Sequence, residues 1–483
     1  MRIERIEIKD FRGFPGIYEL KLGRPGHNLL VYGENGSGKS SLFQALRLFF
    51  ASSEFTGSIQ EYRNEFTKSD EVLVKLELVD YDGQGNRDPA SGTFEWSPTA
   101  SPHGQPLIQE ANKTKGCLDY RALLETHYVH RDEGKVELFK LLETVVLGHV
   151  ENPISKKAFR TELAEIRDMV RKDWRTWSEA LDSRSRNFNK GFENVLDTVE
   201  QKANELLTRF FPDTQIHLKP TGALARSGTG RNKGLIFPKV HLAATSFGLH
   251  RDDLHHFLNE ARLSAIAISL YLASLLIVPA SRLRLLVLDD LLIGIDMSNR
   301  IALLNILREE FNGWQIILLT HDRVWYETVR MSTLYEKTWW YAALHAETSA
   351  GGVPTPLWRG HEEGWIDNLD RARQHLANHD DRAAGVYARA AFEGKLKSYC
   401  EKKSVAVQFK NDPAKMTTEM FWTAIKGKLT GPELAEIKKQ VDDIEIYRKI
   451  VLNPLSHEHP TTLTTTEIQG AITAIDALDQ VLK

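Results

Sequence analysis

An α/β fold with an inserted helical hairpin, followed by an all-helical region, is what this 483-residue sequence predicts on three observations. A short apolar run, Asn28 to Tyr32, meets a glycine-rich loop and then a segment, Ser40 to Phe50, with helical apolar spacing. A second apolar run, Leu283 to Asp290, ends in two adjacent carboxylates. Helix-like and strand-like patterns alternate across residues 251–345, as they do where helices cover a largely parallel sheet.

The chain opens with Ile3 to Lys9 (IERIEIK), whose apolar and polar residues alternate as in a half-buried strand. Residues 70–130 hold further strand-like pieces, such as Glu71 to Val79, separated by turns around Asp82 to Pro106. Residues 151–211 change character: Lys, Arg, Glu and Asp abound, with an apolar residue every third or fourth position. They predict two helices forming a short arm, broken near Asp182–Asn189. Helices of about 25–30 residues would reach about 40 Å. Strand and loop return over 212–250. Leu263 to Ala280 carries no charge over 18 residues. Serine and alanine recur through it and a strand follows at once, which predicts a buried core helix, not a membrane span. A loop with Gly351, Gly352, Pro354 and Pro356 then leads to a helical region from about Glu363. The expected domains are an N-lobe (1–150), the arm (151–211), a C-lobe (212–350) and a helical C-terminal domain (360–483).

Composition narrows the function. With 42% hydrophobic and 26% charged residues and a net charge of -3, the chain is an ordinary globular protein and not a polycation. Its two cysteines, Cys117 and Cys400, form no CxxC, which excludes a cysteine zinc hook and fits a reducing cytosol. The first residues lack the apolar stretch of a signal peptide, so a cytoplasmic location with no membrane contact is expected.

The glycine-rich loop, Gly33-Glu34-Asn35-Gly36-Ser37-Gly38-Lys39-Ser40, fits G-x-x-x-x-G-K-[ST] between a strand and a helix. Glycines there let backbone N–H groups turn towards phosphates, and the helix N-terminus adds its dipole. Lys39 is the expected partner of the β- and γ-phosphates, and Ser40 the expected Mg²⁺ ligand. In Leu283 to Asp290 (LRLLVLDD), Asp289 is expected to hold Mg²⁺ and Asp290 to orient or deprotonate water. Gln315 to His321 is a third buried strand ending in Thr-His, and Phe257 to Ser264 is a helix start with Asn259 as its N-cap.

The order of these motifs resembles that of the ABC ATPases. Ile8 to Phe14 (IKDFRGF) and the long gap between Lys39 and Asp289 resemble the SMC/RecF branch, including ATPases of prokaryotic defence systems. The resemblance spans about residues 1–345. It implies ATP and Mg²⁺ bound between two subunits set head to tail, in a homodimer or higher oligomer. Arg12, Gly33, Asn35, Gly36, Gly38 and Ser41 would join Lys39 and Ser40 around the nucleotide. The LSGGQ-like signature maps to Leu258-Asn259-Glu260-Ala261-Arg262, with Asn259 in the serine's place. Asn259 and Glu260 would meet ATP held by the opposite subunit. Asp290 replaces the usual glutamate base, Ile295-Asp296 resembles the D-loop, and His321 the switch histidine. His130, within Tyr128 to Glu133, falls where a Q-loop would approach the metal. The signature lacks both glycines and the aspartate is one methylene short. Slow or partner-dependent hydrolysis is therefore expected.

Outside the motifs, no acidic residue lies between Asp213 and Asp252, whereas Lys219, Arg226, Arg231, Lys233, Lys239 and Arg251 do. With Gly228, Gly230 and Gly234, this reads either as a mobile contact for nucleic-acid phosphates or as a solvated loop whose charges pair elsewhere. In the C-terminal region Tyr387 to Cys400 is an amphipathic helix. Asn453-Pro454-Leu455-Ser456-His457 resembles the catalytic loop of HEPN-type ribonucleases. There an arginine stands four to six residues before the histidine; here those places hold Leu452, Val451 and Ile450, and Arg448 lies too early. A HEPN-like, non-catalytic docking module is expected. Ser456-His457-Glu458-His459 offers two histidines and no third ligand, so no metal beyond Mg²⁺ is expected.

The leading reading is an ATP-driven switch: a sensor or regulator ATPase of a bacterial anti-phage defence system, acting with a separately encoded effector. A RecF-like DNA-repair ATPase and an ATP-gated ribonuclease using His457 are the alternatives.

Overall fold

The structure is a computed structural model. It describes residues 1–54, 57–67, 71–82, 84–119, 136–137, 150–172, 179–228, 234–278, 281–291, 295–333, 336, 338–348, 352–360, 364–408, 416–428, 447 and 465–482. The chain divides into two compact units, Met1–Arg359 and Gly360–Lys483.

In the first unit the strands are β1 (Arg2–Phe11), β2 (Phe14–Lys21), β3 (Asn28–Gly33), β4 (Leu73–Val79), β5 (Gly92–Trp96), β6 (Gly116–Asp119), β7 (Val136–Glu137) and β8 (Thr214–Thr221). They continue as β9 (Ala225–Ser227), β10 (Gly234–Ile236), β11 (Lys239–Ser246), β12 (Leu249–Arg251), β13 (Leu285–Asp289), β14 (Gln315–Thr320), β15 (Trp339–Thr348) and β16 (Pro354–Gly360).

An antiparallel sheet of order β2-β1-β4-β5 opens the unit. Strict alternation would bury Ile3 on the face opposite Ile6 and Ile8, yet all three are buried. A register shift between Ile3 and Arg5 against β4 brings them to one core.

The second sheet has the order β16-β15-β3-β14-β13-β6, and β6, β13, β14, β3 and β15 run parallel to their neighbours. β13 and β14 are buried throughout, as expected of parallel strands covered on both faces. Alternate residues enter two cores. Leu29, Val31, Val287 and Ile317 pack with Leu42, Leu46 and Phe49 of the helix Lys39–Ala51. Leu30, Leu286, Leu288 and Leu318 belong to the core of the helix Glu260–Leu276. Ser264 to Leu275 is buried without a break, so this helix is a core element. No helix among the described residues is long and apolar enough to cross a membrane.

A third sheet joins β12, β11 and β7, with β8 also paired to β11. The arm region contains helices Phe159–Lys172 and Glu179–Leu207. The break expected near Asp182–Asn189 is not there, because those residues lie inside the second helix. Leu181, Ser185, Phe188 and Phe192 form one buried stripe, and tertiary packing overrides the weak helix preference of the Asp, Ser and Asn residues between them. A helix not foreseen from sequence, Pro106–Thr114, starts on proline, which suits a first helical position.

The second unit packs helices Gly364–Ala377, Asp381–Lys402, Thr418–Lys428 and Thr465–Val481 around Trp365, Phe392, Trp422 and Ile472. Arg448, the Asn453 to His457 loop and His459 lie outside the described residues, as does His130.

Candidate functional site

The loop after β3 is built by its glycines. A Cβ on Gly33 would stand 2.4 Å from Ser37 Oγ and 2.9 Å from the Leu344 carbonyl. Gly36 and Gly38 have φ of 83° and 100°, where side chains are strained. Lys39 is buried, and its ammonium donates to the carbonyls of Gly33 at 2.7 Å and Glu34 at 3.0 Å. Burial lowers its pKa, against the raising effect of Asp290 and Asp289.

β13 and β14 bring the acidic pair and His321 to the same end of the sheet. Ser40 Oγ donates to Asp289 Oδ2 at 2.9 Å across 249 residues of sequence. The other oxygen, Asp289 Oδ1, is buried without a hydrogen-bond partner. Burial, reinforced by the charges of Asp290 and Asp119, pushes the Asp289 carboxyl up to about 6 despite the Ser40 bond. Asp290 follows with φ 51°, and its N–H continues the ladder to Leu319 O at 3.0 Å. That turn sets Oδ1 against both the backbone N–H and the Nδ1 of His321, each at 2.8 Å. Asp290 Oδ2 lies 3.9 Å from Lys39 Nζ.

A hydroxyl and a carboxylate with an orphaned oxygen are the hard oxygen donors that Mg²⁺ takes. Among the described residues no group of three or more His, Cys, Asp or Glu could hold a metal by itself. That suits a cation completed by phosphate oxygens and water, and the residues present therefore fit Mg²⁺ with a nucleotide.

Arg12 sits in the β1–β2 turn at φ 47°. Its N–H donates to Tyr62 O, and Asn64 Nδ2 donates to its carbonyl at 2.5 Å. Ser41 Oγ accepts the Gly13 N–H at 3.1 Å, so this turn is fastened to the loop helix. Arg12, Gly36, Ser41, Phe66 and Pro356 line a single cleft of about 400 Å³. Gly33, Asn35, Gly36 and Gly38 are brought together with Lys39 and Ser40 by the loop itself.

Two expected residues stand elsewhere in roles of their own. Asn259 caps the helix Glu260–Leu276, its Oδ1 accepting the Arg262 N–H at 3.0 Å, with Glu260 in the first turn. Asp296 caps Met297–Glu310 through Asn299 N. Arg300 Nε donates to Ile295 O at 2.9 Å and the same guanidinium pairs with Asp322, linking this cap to the segment after His321.

Asp119, which the sequence reading passed over, ends β6 in register with Asp289. Its four-residue strand, Gly116 to Asp119, is too short to recognise from pattern. Only the parallel register gives its carboxylate meaning. In the basic stretch, Lys219 pairs with Asp252 at 3.1 Å and Arg251 stacks over Phe257, so these charges have partners. Arg231 and Lys233 lie outside the described residues.

The strand–loop–helix, the acidic strand end and the neighbouring histidine strand define a P-loop ATPase head. Residues 2–338 match the RecF/RecN/SMC N terminal domain family, and the chain belongs to it. Members of that family are ATP-binding ATPases. The chain is 24% identical over 345 residues to the DNA replication and repair protein RecF of Lactococcus lactis, covering 63% of this chain and 89% of the relative. It is also similar to solved SMC heads. The Smc head of Pyrococcus furiosus bound to the C-terminal domain of ScpA has 12% identity and a TM-score of 0.44, over 77% of this chain and 99% of that one. The head from Thermotoga maritima has 14% identity and a TM-score of 0.35, over 74% and 98%.

Proposed function

We propose that this protein is an ATP-binding and ATP-hydrolysing switch in which two chains, head to tail, enclose two nucleotides. The observation that carries the reading is the convergence of Lys39, Ser40, Asp289, Asp290 and His321 at one end of a parallel sheet. Lys39 exchanges the Gly33 and Glu34 carbonyls for β- and γ-phosphate oxygens. Ser40 and Asp289 hold the hard cation; when bound, Mg²⁺ neutralises charge on the phosphates. Asp290, its Oδ1 held by His321, orients the attacking water and takes its proton. His321 Nδ1 donates to that carboxylate and keeps it oriented for the water. Asn259 and Glu260 of the second chain close the site, and Asp296 follows the closure through Arg300 and Asp322.

The wider role proposed is that of a sensor or regulator ATPase in a bacterial anti-phage defence system, passing its state to a separately encoded effector. What supports it is the helical unit Gly360–Lys483, which lies beyond the family's matched residues and offers a docking module. The second reading, a RecF-like ATPase acting on DNA, is favoured by the Lactococcus relative and by the exposed Lys239 at the start of β11.

Light scattering on the full chain tests the switch. Mass should rise from one chain to two or more with Mg·ATP and fall again as ATP is consumed. An unchanged mass together with no turnover overturns the proposal. Turnover measured with duplex DNA, single-stranded DNA and RNA separates the readings: stimulation by DNA selects the second, and an unmoved rate selects control by a protein partner.

A further inference from the structure

Arg262 occupies the last position of the signature pentad, and its charge is engaged within its own chain. Its Cζ lies 4.4 Å from the ring centroid of Phe211 and 4.4 Å from that of Phe247. Nη1 pairs with Asp213 Oδ1 at 2.9 Å, donates to Ser246 Oγ at 2.9 Å and also meets Thr214 Oγ1. The side chain is only 11% exposed. A guanidinium paired with a carboxylate and stacked on two rings is held in one place.

The other end of the same residue holds Asn259. The Arg262 N–H donates to Asn259 Oδ1, which fixes the amide with its oxygen inward. Nδ2, with two hydrogens, is then the outward donor, and among the described residues no acceptor meets it. A serine at this place would have to accept the cap bond and donate outward through one oxygen. Asparagine divides those tasks between two atoms, which is how a signature without glycines can still present a donor.

The box around Arg262 is built at a cost. Phe247 sits at φ 52° in a turn with Gly248, and the residue is 68% exposed. A left-handed phenylalanine is strained, and tertiary context must hold it. Here the ring's neighbour is the guanidinium. Asp213 and Thr214 lie beyond the helix Glu179–Leu207, where the chain enters β8, so the start of the signature helix is fastened to the turn between that long helix and β8.

We propose that Arg262 is a positioning residue: it aims Asn259 Nδ2 at the anionic triphosphate oxygens of a nucleotide held by a second copy of this chain. This rests on the composite-site reading above. The test uses the full chain in an Asp290→Asn background, measuring ATP affinity of the dilute single chain and the protein concentration at half-association with Mg·ATP. Arg262→Ala should leave single-chain ATP affinity unchanged and weaken ATP-driven association about 10-fold or more, the scale of a lost charge-assisted bond. Arg262→Lys, which keeps the Asp213 pair and the ring contacts, should recover part of it. Asn259→Asp, as good a cap but with no donor, should lose association with the melting temperature unmoved. Parent-like association of Arg262→Ala or Asn259→Asp overturns the inference and leaves the composite site standing. Joint loss of ATP affinity and melting temperature in Arg262→Ala overturns it too, as a structural effect. Failure of the Asp290→Asn parent to associate at all overturns the composite site and this inference with it.

Discussion

His321 grips a single oxygen of Asp290 twice: Oδ1 takes its backbone N–H and its Nδ1, both at 2.8 Å. The carboxylate is therefore fixed before any substrate arrives, and Oδ2 is the oxygen left to receive a proton. In Asp290→Asn the amide oxygen can still accept from His321, so the geometry survives while proton uptake is lost. ATP turnover should fall by about 10²–10⁴-fold, the range for removing a general base. Nucleotide binding should persist, and the closed, ATP-bound dimer should accumulate. Single-turnover kinetics with light scattering read both, and parent-like hydrolysis would exclude Asp290 as the base.

Lys39 is a buried cation satisfied by two loop carbonyls and close to Asp290. In Lys39→Ala those carbonyls lose their donor and the phosphates lose their nearest charge. A charge-assisted bond is worth about 1.5–3 kcal/mol, so ATP affinity should drop about 100-fold. Titration of a fluorescent ATP analogue measures it. Retained affinity would mean that the loop does not hold the phosphates.

Asp289 makes stability depend on pH. Its carboxyl is raised from 3.8 to about 6 in the folded protein, burial being the first cause. Below the unfolded value the group is protonated in both states and contributes nothing. Between the two values the unfolded chain releases its proton first, so stability falls as pH rises. Above about 6 the penalty is complete, about 3 kcal/mol at 1.36 kcal/mol per pH unit. Nucleotide-free Asp289→Asn should therefore be more stable than the parent at pH 8, with the gap closing towards pH 4, while losing Mg²⁺-dependent ATP binding. Urea melts across that range test it; a gap independent of pH would rule out the buried charge as the cause.

How much of this could be read from the sequence follows from how local each feature is. Gly33 to Ser40 is one loop whose chemistry is written in consecutive residues, and Leu285 to Asp289 is a strand whose apolar run and acidic end survive any context. The uncharged helix was legible for the same reason, since twelve consecutive residues from Ser264 to Leu275 are buried. The long arm helix was not. Asp182, Ser183 and Asn187 read as a break, and only the buried stripe through Leu181, Phe188 and Phe192 carries the helix across them. Asp119 and the Arg262 box were hidden because strand register and ring contacts join residues distant in sequence. Ser41 was legible as a loop residue but not as the one that fastens the Arg12 turn.

That last contact gives a graded test. Ser41 Oγ accepts the Gly13 N–H at 3.1 Å, and a Cβ on Gly13 would stand 2.9 Å from the same oxygen, so turn and helix approach as closely as glycine permits. Ser41→Ala leaves the Gly13 N–H without its acceptor, at a cost of about 1 kcal/mol. It also frees the turn that carries Arg12 beside the loop. Melting temperature should fall slightly and ATP affinity should fall several-fold, while Ser41→Thr, which keeps the hydroxyl, should restore both. Differential scanning calorimetry and ATP titration on the pair decide it. Unchanged affinity in Ser41→Ala with a lowered melting temperature would make the contact purely structural and remove Arg12 from the nucleotide site.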